Sequence, residues 1–261
     1  LLDQRQSKYQ YAEVLQTPVL GKILQLDGIL QLSESDEAGY HEMLVHTPLA
    51  YVPDAASVLV IGGGDGAALS RLVQYDNLVN ITVVDLDPMV ESLSRRHFPS
   101  WGAAFDDHRV ETVYGCGAAF VANALNGGRA PVFDVILVDS SDFGVARPLF
   151  TNDFYHNLKA LLSPAGVLVV NVDSPSWSLP AVAAVSAQLS PIFSHAHLYH
   201  THVPTFASGH YAFMLASHTV HPLRSAVDWD RWRSRGLATT YYTPDVHVAS
   251  FLLPKFVQDV V

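Results

Sequence analysis

Val58-Leu59-Val60-Ile61-Gly62-Gly63-Gly64-Asp65-Gly66-Ala67 is the stretch that decides the fold. It opens on a short, wholly apolar run, the pattern of a parallel strand buried on both faces. The glycines then allow a tight turn and a close approach of backbone to a ligand. A helical pattern follows from Ala67 to Tyr75, and the same alternation repeats downstream. Strands are expected at Ile81-Val84, Val110-Tyr114, Phe133-Val138 and Gly166-Val172. Helices are expected from Pro88 toward Phe98 and over Ala118-Leu125, Asn152-Leu162 and Leu179-Leu189, Pro88 being well placed at a helix start. Two late strands, near His195-Tyr199 and Tyr211-Ala216, are joined too closely for a crossover helix, which predicts an antiparallel pair at one sheet edge. The whole pattern predicts an α/β fold on a doubly wound parallel sheet.

Upstream, Tyr11-Leu15, Lys22-Leu26 and Ile29-Leu32 read as strands, with Asp27-Gly28 as a hairpin turn. Asp36-Glu37 then opens a helix through Tyr40 and Met43 toward Pro48, with acids in its first turn. Residues 1–48 are therefore expected to form a small β-strand domain and 49–261 the α/β domain.

The 261 residues are 49% hydrophobic and 15% charged, a balance for a packed core rather than a disordered chain. No apolar run reaches membrane-spanning length, so no membrane partner is expected. The chain opens on Leu1-Leu2-Asp3 with no Met and no basic-then-apolar leader, which leaves room for a targeting signal cut away upstream. A net charge of −10 without a basic stripe argues against nucleic acid. The single cysteine, Cys116, excludes an internal disulfide and a cysteine zinc cluster.

Ligands of open α/β sheets bind beyond the carboxyl ends of the strands. Acids collect there: Asp65 after the first strand of the sheet, Asp85 after the second, Asp139 and Asp142 after the fourth. Asp85 lies 21 residues beyond Gly64, where an acid accepts hydrogen bonds from ribose hydroxyls. Together with the glycines it marks a nucleoside-containing ligand. Gly62-x-Gly64-x-x-Ala67 also satisfies the dinucleotide fingerprint, whereas the missing Lys disfavours an ATP-type phosphate loop. Asp139-Ser140-Ser141-Asp142 offers two carboxylates that can hold a cation, bind a metal or act as a general base. His195, His197, His200 and His202 crowd one strand, but no acid or cysteine beside them completes a ligand set, so they are read as partly exposed strand residues and no metal site is expected. Trp177, Trp229 and Trp232 suit core or pocket walls, and core is the favoured reading.

These motifs, taken in order, resemble the polyamine aminopropyltransferases, the spermidine synthase family. The resemblance rests on Ser7-Lys8-Tyr9-Gln10, Leu26-Asp27-Gly28-Ile29-Leu30-Gln31, Tyr40-His41-Glu42-Met43, the run from Val58 to Gly66, Asp134 to Asp142, Pro204-Thr205-Phe206 and Tyr241-Tyr242 with His247. It implies a Rossmann-like sheet of the S-adenosylmethionine-methyltransferase type with a small N-terminal β-domain, in a homodimer or homotetramer of the cytoplasm. It implies transfer of the aminopropyl group of decarboxylated S-adenosylmethionine to a polyamine amine, putrescine or a related acceptor, with no permanently bound cofactor. Asp139 would be the base. Tyr40, Asp142 and Phe206 would hold the polyamine. Gln10, His41, Gly62, Asp65, Asp85, Cys116 and Gly117 would hold the donor.

Several positions depart from the family pattern. Gly115-Cys116-Gly117 carries a thiol where the family has an Asp that accepts from the adenine amino group, and a thiol is a weak acceptor. The loop after Asp142 lacks two prolines. Asn171-Val172-Asp173 stands for a Gln and a Glu, Phe206 for a Tyr, Asp85 for a Glu and Ala67 for a Gly. The departures predict altered acceptor preference and weakened donor binding. Two further readings are an S-adenosylmethionine-dependent amine N-methyltransferase and a catalytically weak subunit of the synthase type. A nicotinamide-dependent oxidoreductase ranks last, since the synthase pattern outweighs the short dinucleotide match.

Overall fold

The structure is a computed structural model that describes residues 1–126, 130–140 and 146–261. It opens on an antiparallel meander, β1 (Asp3–Gln6), β2 (Tyr11–Thr17), β3 (Gly21–Leu26) and β4 (Ile29–Ser33), paired in chain order. The β3–β4 hairpin turns on Asp27 and Gly28 at φ 50° and 79°, the left-handed pair such a turn requires. Strand β1 was not expected. Asp3-Gln4-Arg5-Gln6 has no apolar alternation; it is an edge strand held by backbone pairing to β2.

Helix α1 (Glu37–Tyr51) leads to a seven-stranded sheet of order β10-β11-β9-β8-β5-β6-β7. Its parallel strands are β5 (Ser57–Gly62), β6 (Asn80–Asp85), β7 (Val110–Tyr114), β8 (Phe133–Asp139) and β9 (Leu162–Asp173). The late strands β10 (His195–His202) and β11 (His210–Ser217) pair antiparallel, and β11 lies antiparallel on β9, as the short link required. Helices α2 (Ala67–Leu72), α3 (Pro88–His97), α4 (Pro99–Gly102), α5 (Gly117–Asn126), α6 (Asn152–Leu161) and α7 (Leu179–Leu189) connect the strands. Three short helices, α8 (Trp229–Ser234), α9 (Pro244–Ser250) and α10 (Lys255–Gln258), follow the sheet.

The apolar run of β5 is explained by its two covered faces. Val58 and Val60 join one core with Met43 and Leu44 of α1, while Leu59 and Ile61 join the other with Leu158 of α6 and Val182 of α7. Trp229 and Trp232 pack against the first core as expected. Trp177 does not: it is 69% exposed, in the loop after β9. No described helix is long and apolar enough to cross a membrane.

Register positions the acids. Gly62 of β5 stands opposite Asp139 of β8, and Ile61 opposite Val84, so Asp85 lies just beyond on the other side. Asp87 ties the N-terminal segment to this end. Its Oδ1 caps α3 by accepting from Met89 N at 3.1 Å, and its Oδ2 accepts from Ser7 Oγ at 2.6 Å and Gln10 Nε2 at 3.1 Å. Asp87→Ala removes the cap and both tethers, so it should cost about 1–2 kcal/mol in denaturant unfolding; an unchanged midpoint would show that Asp87 carries no such role.

Candidate active site

Two clefts meet at the carboxyl ends of β5 and β8. The first, of ≈ 830 Å³, runs between Gln10, Leu24 and Leu26 of the N-terminal segment and the tips of β5, β6 and β7. The second, of ≈ 1210 Å³, runs from Tyr40 and His41 past Asp173 and Trp177 to Phe206 and Tyr211. Gln31, Asp65, Asp139 and Ser140 line both.

Asp139 stands at this junction. Tyr40 Oη donates to its Oδ1 at 2.8 Å, while Oδ2 is buried with no hydrogen-bond partner among the described residues. Burial pushes its carboxyl up to about 6, against the opposing pull of the His41 charge and the Tyr40 hydroxyl, and with the Asp65 charge adding to the rise. A carboxylate held near neutrality with one bare oxygen is suited to taking a proton. Tyr40 is itself fixed by ring contacts at 4.9–5.8 Å with His41, Phe206, Tyr211 and Phe213.

His41 is buried on α1 and held by Glu37, one helical turn earlier. Its Nδ1 lies 3.0 Å from Glu37 Oε2, and its Nε2 lies 4.0 Å from Asp65 Oδ1. Burial works against a charge there, but the Glu37 bond and the Asp65, Glu37 and Asp139 charges outweigh it and lift His41 to about 9. At neutral pH it is an imidazolium, a donor rather than an acceptor. Arg71 pairs with the other oxygen of Glu37.

Asp85 lies at the floor of the first cleft. Its Oδ2 accepts from Gly64 N at 3.0 Å and its Oδ1 from Asp87 N at 2.8 Å. Burial dominates and raises it to about 6, with those backbone bonds opposing. A Cβ on Gly64 would lie 2.7 Å from this carboxylate, so only glycine leaves it room. Asp65 accepts from Ala67 N at 2.7 Å, which turns its carboxylate along the cleft edge. Gln10, Gly62, Cys116 and Gly117 line the same cleft, and the Cys116 thiol is exposed. Phe206 lines the second. Asp142 lies outside the described residues.

The structure thus brings to these two clefts every described residue that the resemblance assigns to the donor, the polyamine or the base. It adds others. Glu37 holds His41 and Arg71 holds Glu37, and the i, i+4 spacing of Glu37 and His41 is the available signal. Asn171 donates to Ser140 O at 2.6 Å and leaves its Oδ1 buried without a described partner beside the second cleft. Asp173, at φ 72°, and the exposed Trp177 line that cleft too; Asn171 and Asp173 are among the positions that depart from the family pattern, whereas no local pattern announces that Trp177 faces the cleft.

A seven-stranded sheet of this order with a carboxylate-lined cleft at its strand ends defines a Rossmann-like domain of the methyltransferase type. Residues 37–225 match the model of the spermine/spermidine synthase domain, and residues 1–34 that of the spermidine synthase tetramerisation domain. The polyamine aminopropyltransferases of Clostridium botulinum (strain Eklund 17B / Type B) and Streptococcus pneumoniae serotype 4 are each 37% identical over 257 residues, covering 97% of this chain and 88% of theirs. A crystal structure of a spermidine synthase in complex with the transition-state analogue AdoDATO superposes with a TM-score of 0.94 at 32% identity, covering 99% of this chain and 87% of that one. The spermidine synthase of Thermotoga maritima gives 0.92, also at 32% identity, covering 99% of this chain and 86% of its own. The chain belongs to the spermine/spermidine synthase family, whose members are aminopropyltransferases.

Removing the Glu37 charge should let burial pull His41 down. In Glu37→Gln the His41 ring, followed by NMR, should titrate well below about 9; an unchanged titration would assign the proton to Asp65 and Asp139 instead.

Proposed function

We propose that the protein transfers the aminopropyl group of decarboxylated S-adenosylmethionine to a terminal amine of putrescine or a related polyamine, releasing methylthioadenosine. The observation that carries this reading is the bare, buried Oδ2 of Asp139 at the junction of two clefts. The first cleft takes the nucleoside, with Asp85 accepting from the ribose hydroxyls. Gln10, Gly62, Asp65, Cys116 and Gly117 surround the rest of the donor. His41 acts there as a fixed positive charge that keeps Asp139 ionised. The second cleft takes the polyamine. Its carboxylates suit ammonium groups, and Phe206, Tyr211 and Trp177 suit the methylene chain between them. Asp142, two residues after Ser140 in the sequence, is assigned to the same polyamine.

In the step itself, the amine nitrogen attacks the methylene carbon beside the sulfonium. A C–N bond forms as the C–S bond breaks, and the electron pair leaves with sulfur as a neutral thioether. The departing proton goes to Asp139 Oδ2. A neutral leaving group needs no metal or acid, so the rate depends on alignment and on the base. The match of residues 1–34 to a tetramerisation domain supports a homodimer or homotetramer, and a cytoplasmic setting belongs to the same proposal.

The test is incubation with decarboxylated or intact S-adenosylmethionine and each of putrescine, spermidine and spermine, with products read by mass spectrometry. An aminopropylated product from the decarboxylated donor alone is expected; methylated amine would overturn the reading. Asp139→Asn should lower the rate by about 10²–10⁴-fold while methylthioadenosine still binds.

The wild-type rate should fall with acid below about pH 6, where Asp139 takes up its proton. Because the Tyr40 hydroxyl favours the ionised form, Tyr40→Phe should move this limb to higher pH. A limb that stays in place would separate Tyr40 from the base.

Cys116→Asp should tighten methylthioadenosine by roughly 0.5–1.5 kcal/mol in calorimetry, if it restores one hydrogen bond to the adenine amino group. Unchanged or weaker binding would mean that adenine is read elsewhere.

A further inference from the structure

The late edge of the sheet carries a second constellation, remote from the carboxyl ends of the parallel strands. His195 and His197 stand on one face of β10, held by backbone pairing opposite Ser217 and Leu215 of β11. The chain leaves β11 and turns back, and His221 enters the same face. Its backbone is pinned there, N–H to Ser225 Oγ at 3.0 Å and carbonyl to the N–H groups of Arg224 and Ser225 at 2.9 and 2.7 Å. The His221 ring lies 5.1 Å from that of His195 and 4.4 Å from that of His197. One nitrogen from each of the three rings lies within 4.8 Å of the other two. The sequence alone hides this set, because its third member lies beyond the strand that carries the other two.

We propose that His195, His197 and His221 form a binding site for a divalent late first-row metal ion, zinc or copper. Three imidazoles are the donors such ions prefer, and their all-nitrogen character excludes magnesium and calcium. Tetrahedral zinc with Zn–N bonds of about 2.0–2.1 Å needs nitrogens roughly 3.4 Å apart, so modest ring rotations close the set, and the fourth position falls to water. The three rings are half-buried and lie within 4.4–6.4 Å of one another, centroid to centroid. The neighbouring Arg224 is exposed to solvent, and His218 is already engaged by Ser194. Occupation would clip the first residues of edge strand β10 to the segment after β11.

The site carries its own reporter. Leu223 N–H donates to His221 Nδ1 at 3.3 Å. A metal at Nδ1 takes that lone pair, and a metal at Nε2 requires a proton on Nδ1. Either way the Leu223 bond is lost on loading.

The test is zinc titration of the tag-free, full chain by calorimetry, with thermal unfolding and the amide NMR spectrum followed in parallel. One zinc per chain should bind, raise the melting temperature and shift the Leu223 amide. His197→Gln should weaken binding by at least about tenfold. His221→Gln, in a surface turn, should do the same if the strand variant fails to fold. The exposed His108→Gln should bind like wild type. Zinc binding that His197→Gln and His221→Gln leave intact, or that leaves the Leu223 amide unmoved, would overturn the proposal, as would wild type that binds no better than His221→Gln.

Discussion

The Gly63 N–H donates to the carbonyl of Asp139 at 3.1 Å, and the site depends on this contact. It locks the turn after β5 against the end of β8 at the point where Gly62 and Asp139 are in register. Gly62 sits at φ 89°, and a Cβ there would fall 1.9 Å from the same carbonyl. No other residue fits without driving the two strand tips apart. With them together, the Asp139 side chain meets Tyr40 at the junction of the clefts.

Charge placement follows from that geometry. Asp65, Asp85 and Asp139 share one strand-end region, and burial there raises both Asp85 and Asp139. Left alone, such a group would hold protons and make a poor base at neutral pH. His41 supplies the opposing charge, and it stays charged because Glu37 holds its other nitrogen. Arg71 in turn balances Glu37. Helix α1 therefore serves the site twice, through Tyr40 on one Asp139 oxygen and through His41 on the electrostatics around it. A change in the Glu37–Arg71 pair, which lies behind His41, reaches Asp139 through His41.

Much of this was legible in the sequence because it is local. An apolar run ending in glycines, an Asp-Gly turn and acids at strand ends each announce themselves within a few residues. The antiparallel pair at the sheet edge followed from a short connection. What stayed hidden depends on distant chain segments. Strand β1 has no apolar pattern because it is held by backbone pairing to β2 and by polar side-chain contacts of Asp3 with His97 and of Arg5 with Ser92. Trp177 was read as core, yet it stands exposed beside the second cleft, since nothing in its neighbours tells which way a loop points. Arg71 reaches Glu37, and Asn171 reaches Ser140, only once the sheet is assembled. His221 joins His195 and His197 by a chain reversal that residue spacing does not encode.

The central claim is that Asp139 Oδ2 receives the proton of the attacking amine at the meeting point of two clefts. The most direct test is a crystal structure with methylthioadenosine and putrescine bound together. The account predicts the nucleoside over Asp85 and a putrescine nitrogen within about 3.2 Å of Asp139 Oδ2, facing the sulfur of the thioether. A putrescine whose two nitrogens are both anchored away from Asp139, with Oδ2 bonded to water, would contradict it.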